Sequence, residues 1–504
     1  MSSLRKTNVW LIGSTALLAT VLGLLAAMNP AYGLGGLVVV FGLAAFVRSG
    51  AIAVCGFAAT TYFEIIGAYL GESLSPIKIA GGALIVFAAL SLVLTRRGHG
   101  ASSTVGAPTT ARNAGPGWRE HPLLIALLVG FVAWALTSAA WATNVEQVRV
   151  LGTRLVTDAL IFLAIPVFLH TTRQLRALGW TILCGGVASV LLGTALGANL
   201  GGRAIGTFAD PNEYAAALVA STAIGLALAE TTPSTLSCWA GRVMSATCLL
   251  GVIQSGSRGG LLAVFVAFFV LLVTARGRER VRMTGGLLVA AATGAAWLGL
   301  TPNGSAILAR VTDPDSSGRS VLWRVAVRMY EQNPVTGVGL GNYPVLSRHY
   351  LQGDIEHLEL FLRAPRVVHS TPLELLAELG TIGALLYYGF VVACLLAGTR
   401  ALRLARRAGR TQLVGVIRGV FAAACAMFAT TIFLSGQYQE LTWVLLATCL
   451  AALAIARRAD AIDAAAAALE AELVPEHLEL DAPATEPGAA LLAPADPPRP
   501  TIPA

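Results

Sequence analysis

Charge is what this sequence lacks. Of 504 residues, only 12% are Asp, Glu, Lys or Arg, about half the share of a soluble domain. Hydrophobic residues make up 56% and the mean hydropathy is +0.71. A chain of that composition is an all-α polytopic membrane protein, and its length says nothing about domain count. Lysine is nearly missing too. It occurs only at Lys6 and Lys78, so the formal charge of +8 rests on arginine. The arginines sit in short loops without the interleaved aromatics that stack bases, so nucleic acid is not an expected partner. Cysteine pairing signals are also missing. Cys55, Cys184, Cys238, Cys248, Cys394, Cys425 and Cys449 lie in or beside apolar segments, odd in number and without CxxC or Cys/His spacing. Neither a disulfide framework nor a metal site is indicated. A small-residue cleavage site is missing after the first apolar run, which is therefore expected to be a retained span.

What is present is a series of apolar runs, each about 17–25 residues, the length that crosses a bilayer. They fall near 9–28, 31–47, 51–70, 77–94, 122–141, 150–170, 177–199, 212–230, 242–257, 259–275, 284–301, 373–397, 412–434 and 441–456. Between twelve and fourteen transmembrane helices are expected, the short pair 242–257 and 259–275 being the least regular. Arginine bias in short loops orients them. With the N-terminus inside, Arg5, Arg48, Arg96, Arg97, Arg173, Arg176, Arg242, Arg276, Arg400, Arg410, Arg457 and Arg458 all fall on one side. The expected organisation is helices 1–11 over 1–301, with a cytoplasmic linker at 95–120. A large outer loop follows at 302–372, then C-terminal spans at 373–456. An Ala/Pro-rich tail at 457–504 is too poor in core-forming residues to fold. Both termini are expected in the cytoplasm.

The one long polar interruption runs from Thr301 to Gly383. A loop of that size between spans is usually functional or a folded subdomain. It places Arg310, Arg319, Arg324, Arg328, Arg348, Arg363, Arg366 and His369 on the outer side, against the arginine bias. An anionic ligand would explain them. Arg319 opens an amphipathic helix after the PDSSG turn, and Arg324 and Arg328 share a face of it. Guanidinium forks match phosphate oxygens in a bidentate way; a solvated helix face is the plainer reading for Arg328, Arg348 and Arg363. Arg258 lies between two apolar segments in SGSRGG, where the backbone can approach a phosphate. Arg203 and the turn Asp210-Pro211-Asn212-Glu213 lie on the same side. His369 at the membrane edge can draw a proton from a hydroxyl, or it belongs to a helix cap in which Thr371 and Glu374 form a capping box. Gly337-Val338-Gly339-Leu340-Gly341 lacks the strand–turn–helix setting of a nucleotide fold and reads as a loop turn. Glu64 falls within the third apolar run and has no assigned role.

Four stretches, in order on one face, carry a family resemblance: RAIGTFADPNEYA, SGSRGG, GRSVLWRVAVRMYEQNPVTGVGLGNY and HSTPLELLAELGTIG. Together they resemble the O-antigen ligase and polymerase superfamily of bacterial envelope glycan enzymes. His369, Ser370, Gly380 and Gly383 fit the ligase-type pattern of His, Asn/Ser/Gln, nine residues, Gly, two residues, Gly. The resemblance implies an inverting glycosyltransferase of the bacterial inner membrane that uses no metal or other cofactor. It implies transfer of a glycan from undecaprenyl diphosphate to an acceptor hydroxyl on the periplasmic face, with lipid A–core as the acceptor of a ligase. It assigns catalysis to His369, Arg319 and Arg258, and substrate binding to Arg203, Arg324, Asn212 and Ser370. A polymerase of glycan repeat units is the alternative. A transporter of lipid-linked glycans or small anions is a further one, but it calls for internal repeats and charges near span centres.

Overall fold

The computed structural model describes residues 49–65, 75–98, 117–300, 304–305, 319–351 and 366–473. The expected spans 9–28 and 31–47 lie outside them, as do Arg310, Arg363 and the tail beyond Leu473. The described chain is almost wholly helical. The helices, in order, are α1 (Gly50–Thr60), α2 (Pro76–Gly98), α3 (Pro122–Thr137), α4 (Val145–Phe168), α5 (Thr172–Ala195), α6 (Pro211–Thr231), α7 (Thr235–Ser255), α8 (Arg258–Thr274), α9 (Arg278–Leu300), α10 (Arg319–Gln332), α11 (Tyr343–Leu346), α12 (Thr371–Arg407), α13 (Thr411–Thr430) and α14 (Glu440–Leu473). Nine of them are long and apolar enough to cross a membrane, while α1 and α8 are shorter apolar helices. The short pair foreseen at 242–257 and 259–275 is realised as α7 and α8, joined across Gly256 in the left-handed region. The one sheet among the described residues is a two-residue hairpin, Asn199–Leu200 against Arg203–Ala204.

Local chemistry sets the helix starts. Asn144 accepts from the Gln147 N–H at the head of α4, and Thr171 and Gln174 form a reciprocal capping box at the head of α5. Asp210 accepts from the N–H groups of Asn212 (2.7 Å) and Glu213 (3.2 Å), just ahead of Pro211 at the first turn of α6. Each cap satisfies donors that a helix start otherwise leaves open.

The centre of the bundle is α6, with 83% of its span buried. Its sequence, PNEYAAALVASTAIGLALAE, is rich in small residues that let neighbouring backbones approach. It packs against α5, α7, α8 and α13. Polar contacts sort the helix ends into two rims. At one rim Arg457 pairs with Glu120 (2.5 Å), Arg176 donates to Thr232 (3.0 Å), Arg242 pairs with Glu230 (2.7 Å) and Arg418 pairs with Glu279. At the other, Arg203 meets Ser255, Leu340 meets Ser138, and Thr371 meets Leu434. The described helices therefore alternate in direction as the arginine bias requires. The arginine bias would put the first rim on the cytoplasmic side.

The described residues up to Asp460 belong to one compact unit, and those from Ala461 to a second. Within the first, the polar stretch contributes a small core of its own. Val321, Leu322, Val325, Ala326 and Met329 of α10 are buried with Val338, Tyr343, Leu351 and Val368. Those five positions form the apolar stripe of an amphipathic helix. Val327 lies off that stripe and is 39% exposed.

Candidate active site

The helix that carries the expected His-to-Gly motif is broken. Gly380 in α12 has φ 66° and ψ −167°, a region essentially reserved for glycine. The break frees backbone groups, and the loop after α10 claims them. Val338 N–H donates to the Ala377 carbonyl (2.9 Å), Gly339 N–H to that of Glu378 (2.8 Å), and Thr381 N–H to that of Pro334 (2.8 Å). Trp134 Nε1 on α3 donates to the Leu379 carbonyl (2.9 Å). Gly337, at φ 67°, lies so close that a side chain there would run into the Glu378 backbone. The buried Glu378 carboxylate accepts from the N–H groups of Gly341 (2.8 Å) and Tyr343 (3.1 Å), capping α11 from across the loop. The GVGLG segment is thus a turn, and its docking partner is the motif's first glycine.

The nine residues ahead of Gly380 form a short helix whose first turn is held elsewhere. Thr371 N–H is shared between the carbonyls of Thr431 (2.9 Å) and Leu434 (3.1 Å), and the Thr371 hydroxyl accepts from Gly436 N–H (2.8 Å). Glu374 does not form the capping box expected with Thr371. Its carboxylate instead accepts from Ser435 Oγ and from Gln437 Nε2 (2.7 Å). Ser370 occupies the N-cap position, but its hydroxyl makes no capping hydrogen bond.

His369 precedes this locked turn. Among the described residues it is the one non-glycine with positive φ, at 54°. Its Nδ1 is buried without a hydrogen-bond partner. A left-handed backbone costs about 1–3 kcal/mol and an unmet buried polar atom about as much again, so the surroundings impose both. Burial, then the Arg319 guanidinium, push the His369 pKa below the usual histidine value; Asp210 pulls the other way and Arg366 adds to the lowering. The imidazole is therefore held neutral, with a basic nitrogen open.

Arg319 is the nearest cation in electrostatic effect. Burial lowers its pKa first, and it also feels Asp210 and Arg258; a guanidinium stays protonated through such a shift. Arg258 is the first residue of α8, behind the Ser257 cap that accepts from Gly260 N–H (3.1 Å). Two arginines are thus placed near one another and beside the helix start at Ser257, an arrangement suited to an anion. Arg203 is placed at the same rim but works partly as a staple. Its Nε donates to the Ser255 carbonyl (2.7 Å) and its Nη2 to Asn212 Oδ1 (2.9 Å). Asn212 Oδ1 also accepts from Ser257 Oγ (2.9 Å). The expected ligand-binding pair Arg203 and Asn212 therefore ties the 199–212 loop to the α7–α8 junction that presents Arg258. Arg324 lies exposed one turn further along α10. No cluster of three metal-ligating side chains occurs among the described residues.

These elements come together from α6, the α7–α8 junction, α10 and the head of α12, and most of that span is recognisable by itself. Residues 243–388 match the family described as O-antigen ligase. That match supports the O-antigen ligase and polymerase superfamily. No curated protein matches the chain. The O-antigen ligase segment opens within α7, contains Arg258, Arg319 and His369, and closes just after the α12 break. The match and the long apolar helices together support a multi-pass membrane enzyme, and the family implies lipid-linked glycans as its substrates.

One group at this rim escaped sequence reading. Arg154 and Asp158 on α4, Glu213 on α6 and Glu440 at the head of α14 come together, and Glu64 joins them by accepting from Ala209 N–H (3.4 Å). The available signal was two opposite charges four residues apart inside an apolar run.

Proposed function

We propose that the protein is an inverting glycosyltransferase that moves a glycan from undecaprenyl diphosphate to an acceptor hydroxyl at the rim holding His369. The observation that carries this reading is the neutral, half-buried His369 with an unpartnered Nδ1 beside Arg319. The acceptor hydroxyl attacks the anomeric carbon from the side opposite the diphosphate. Its proton passes to His369, the bond from the anomeric carbon to the diphosphate oxygen breaks, and the electron pair stays on the diphosphate. Arg319 and Arg258 stabilise that growing charge. Arg203 and Asn212 hold the junction that presents Arg258, and Ser370 stands next to the base at the start of α12. Our reading is a ligase, after the description of the matched family, and we take lipid A–core as its acceptor.

The test is complementation of a deletion strain, read as glycan transferred. His369→Ala should lower transfer about 10²–10⁴-fold. Arg258→Ala and Arg319→Ala should each lower it about 10²–10³-fold, whereas exposed Arg348→Ala should stay near wild type. Equal losses for all three arginines would remove the diphosphate clamp. Lipid-linked polymer accumulating in the deletion strain supports the ligase; single repeat units would make the protein a polymerase.

A further inference from the structure

The charged group around Arg154 is not needed by the diphosphate scheme, and it is too polar for a site that only holds helices together. Arg154 is surrounded by protein, yet 49% of its side chain is reached by solvent. Its guanidinium is thus set among the helices and still reached by solvent. Its Nη2 donates to the Tyr438 carbonyl (2.8 Å) and to Glu440 (3.3 Å). Its Nε and Nη1 make no hydrogen bond among the described residues. Asp158, one helical turn away, is 2% exposed, and its Oδ2 has no partner. The charges it feels are those of Glu440 and Arg154, so its carboxyl belongs to the same group. Glu213 feels Glu64, Asp210, Arg154 and Glu440. Ionisable side chains within a helical bundle line water-filled cavities or substrate paths.

The chemistry of the set selects its ligand. Four carboxylates repel an anion. Arg154 offsets part of that charge, and no three ligating groups converge on a metal position among the described residues. A hydroxyl can donate to the carboxylates and accept from the guanidinium, so a ligand bearing several hydroxyls satisfies both kinds of group. We propose that Glu64, Arg154, Asp158, Glu213 and Glu440 form a saccharide-binding subsite that grips ring hydroxyls of one of the two glycans. The proposal rests on the glycosyltransferase reading above. Asp210 links the two halves, since it acts on Glu64 and Glu213 on one side and on Arg319 and His369 on the other. Pyrophosphate thus belongs to the arginine half, and sugar rings to the carboxylate half.

The experiment uses the full chain in nanodiscs, with Glu213→Gln, Glu440→Gln and the charge-keeping Arg154→Lys. Geranyl diphosphate, which carries no sugar, probes the arginine half through the thermal stabilisation it gives. The lipid-linked glycan that builds up in a deletion strain probes both halves. Each glutamine variant should melt like the wild type, keep the full geranyl diphosphate response, and lose at least tenfold in glycan transfer. A matching loss of affinity for the lipid-linked glycan assigns the subsite to the donor's sugar; unchanged affinity assigns it to the acceptor's. Wild-type transfer in both glutamine variants overturns the proposal, as does a loss of geranyl diphosphate response equal to that of Arg319→Ala. Should the glutamine variants misfold, Arg154→Lys decides on the same two readouts. Arg319→Ala that keeps the full diphosphate response sinks the wider glycosyltransferase scheme instead, leaving the glutamine result readable by itself.

Discussion

At the scale of single residues, His369 combines two costs that a purely structural histidine would shed. Its left-handed backbone suits Asn as well as His. His369→Asn should therefore keep the protein folded, with a melting temperature near wild type, while transfer collapses. A variant that folds and transfers normally would remove the imidazole from the mechanism. The pKa direction gives a second outcome. A base must be neutral to act, and a lowered pKa keeps it neutral to more acidic pH. The acidic limb of the rate profile should lie below the ordinary histidine value of 6.5. Arg366 contributes to the lowering, so Arg366→Gln should move that limb toward higher pH. A limb that stays in place would show that the titrating group is not His369. His369, Arg258 and Arg319 could be named as candidates from the sequence because their residue types and order carry chemistry. Arg203 and Asn212 were only half legible: the sequence placed them at the right rim but gave no sign that they bind each other and Ser257.

At the scale of elements, the head of α12 is built from two docking events. The 431–437 loop holds its first turn, and the turn at 337–341 fills its break. Gly380→Ala puts a side chain into a backbone region that excludes it and drives that side chain into the Val335 carbonyl. It should destabilise the protein by about 1–3 kcal/mol and lower transfer. Gly56→Ala in α1 has open space around it and should leave the melting temperature unchanged. Thermal melting of the two variants side by side checks the contrast. Helix starts were readable locally, since Asp210-Pro211 and Thr171 with Gln174 lie within a few residues of one another. The break was not. Its partners are about forty residues away along the chain, and a sequence shows two glycine-rich segments without showing that one receives the other. The expected capping box at Thr371 and Glu374 failed for a related reason. A distant loop offered Glu374 better donors than the adjacent backbone did.

At the scale of the whole molecule, helix alternation separates two rims of different chemistry. Arg457, Arg176, Arg242 and Arg418 meet acids or carbonyl-rich helix ends at one, while His369 and the candidate site occupy the other. Asn199 is exposed at the site rim and Gln412 at the opposite one. With the site rim outward, a membrane-impermeant thiol reagent should label Asn199→Cys in intact spheroplasts above the native cysteine background. Gln412→Cys should react only after permeabilisation. The reverse pattern would turn the enzyme over in the membrane. Fold class was legible at this scale because apolar runs of bilayer length leave few alternatives. The charged group around Arg154 was not, because its five side chains come from α4, α6, α14 and the segment after α1, whose adjacency no local pattern announces.

The interruption in α12 also limits how this enzyme moves. Packed helices commonly ratchet past one another by a single turn. Here such a slide would rupture four backbone-anchored bonds at once: those to the carbonyls of Ala377, Glu378 and Leu379, and that from Thr381 to Pro334. The segment bearing His369 is in effect bolted to the loop above it. Turnover must then come from reactants entering and leaving sideways past a stationary post, or from the neighbouring helices leaning away from it.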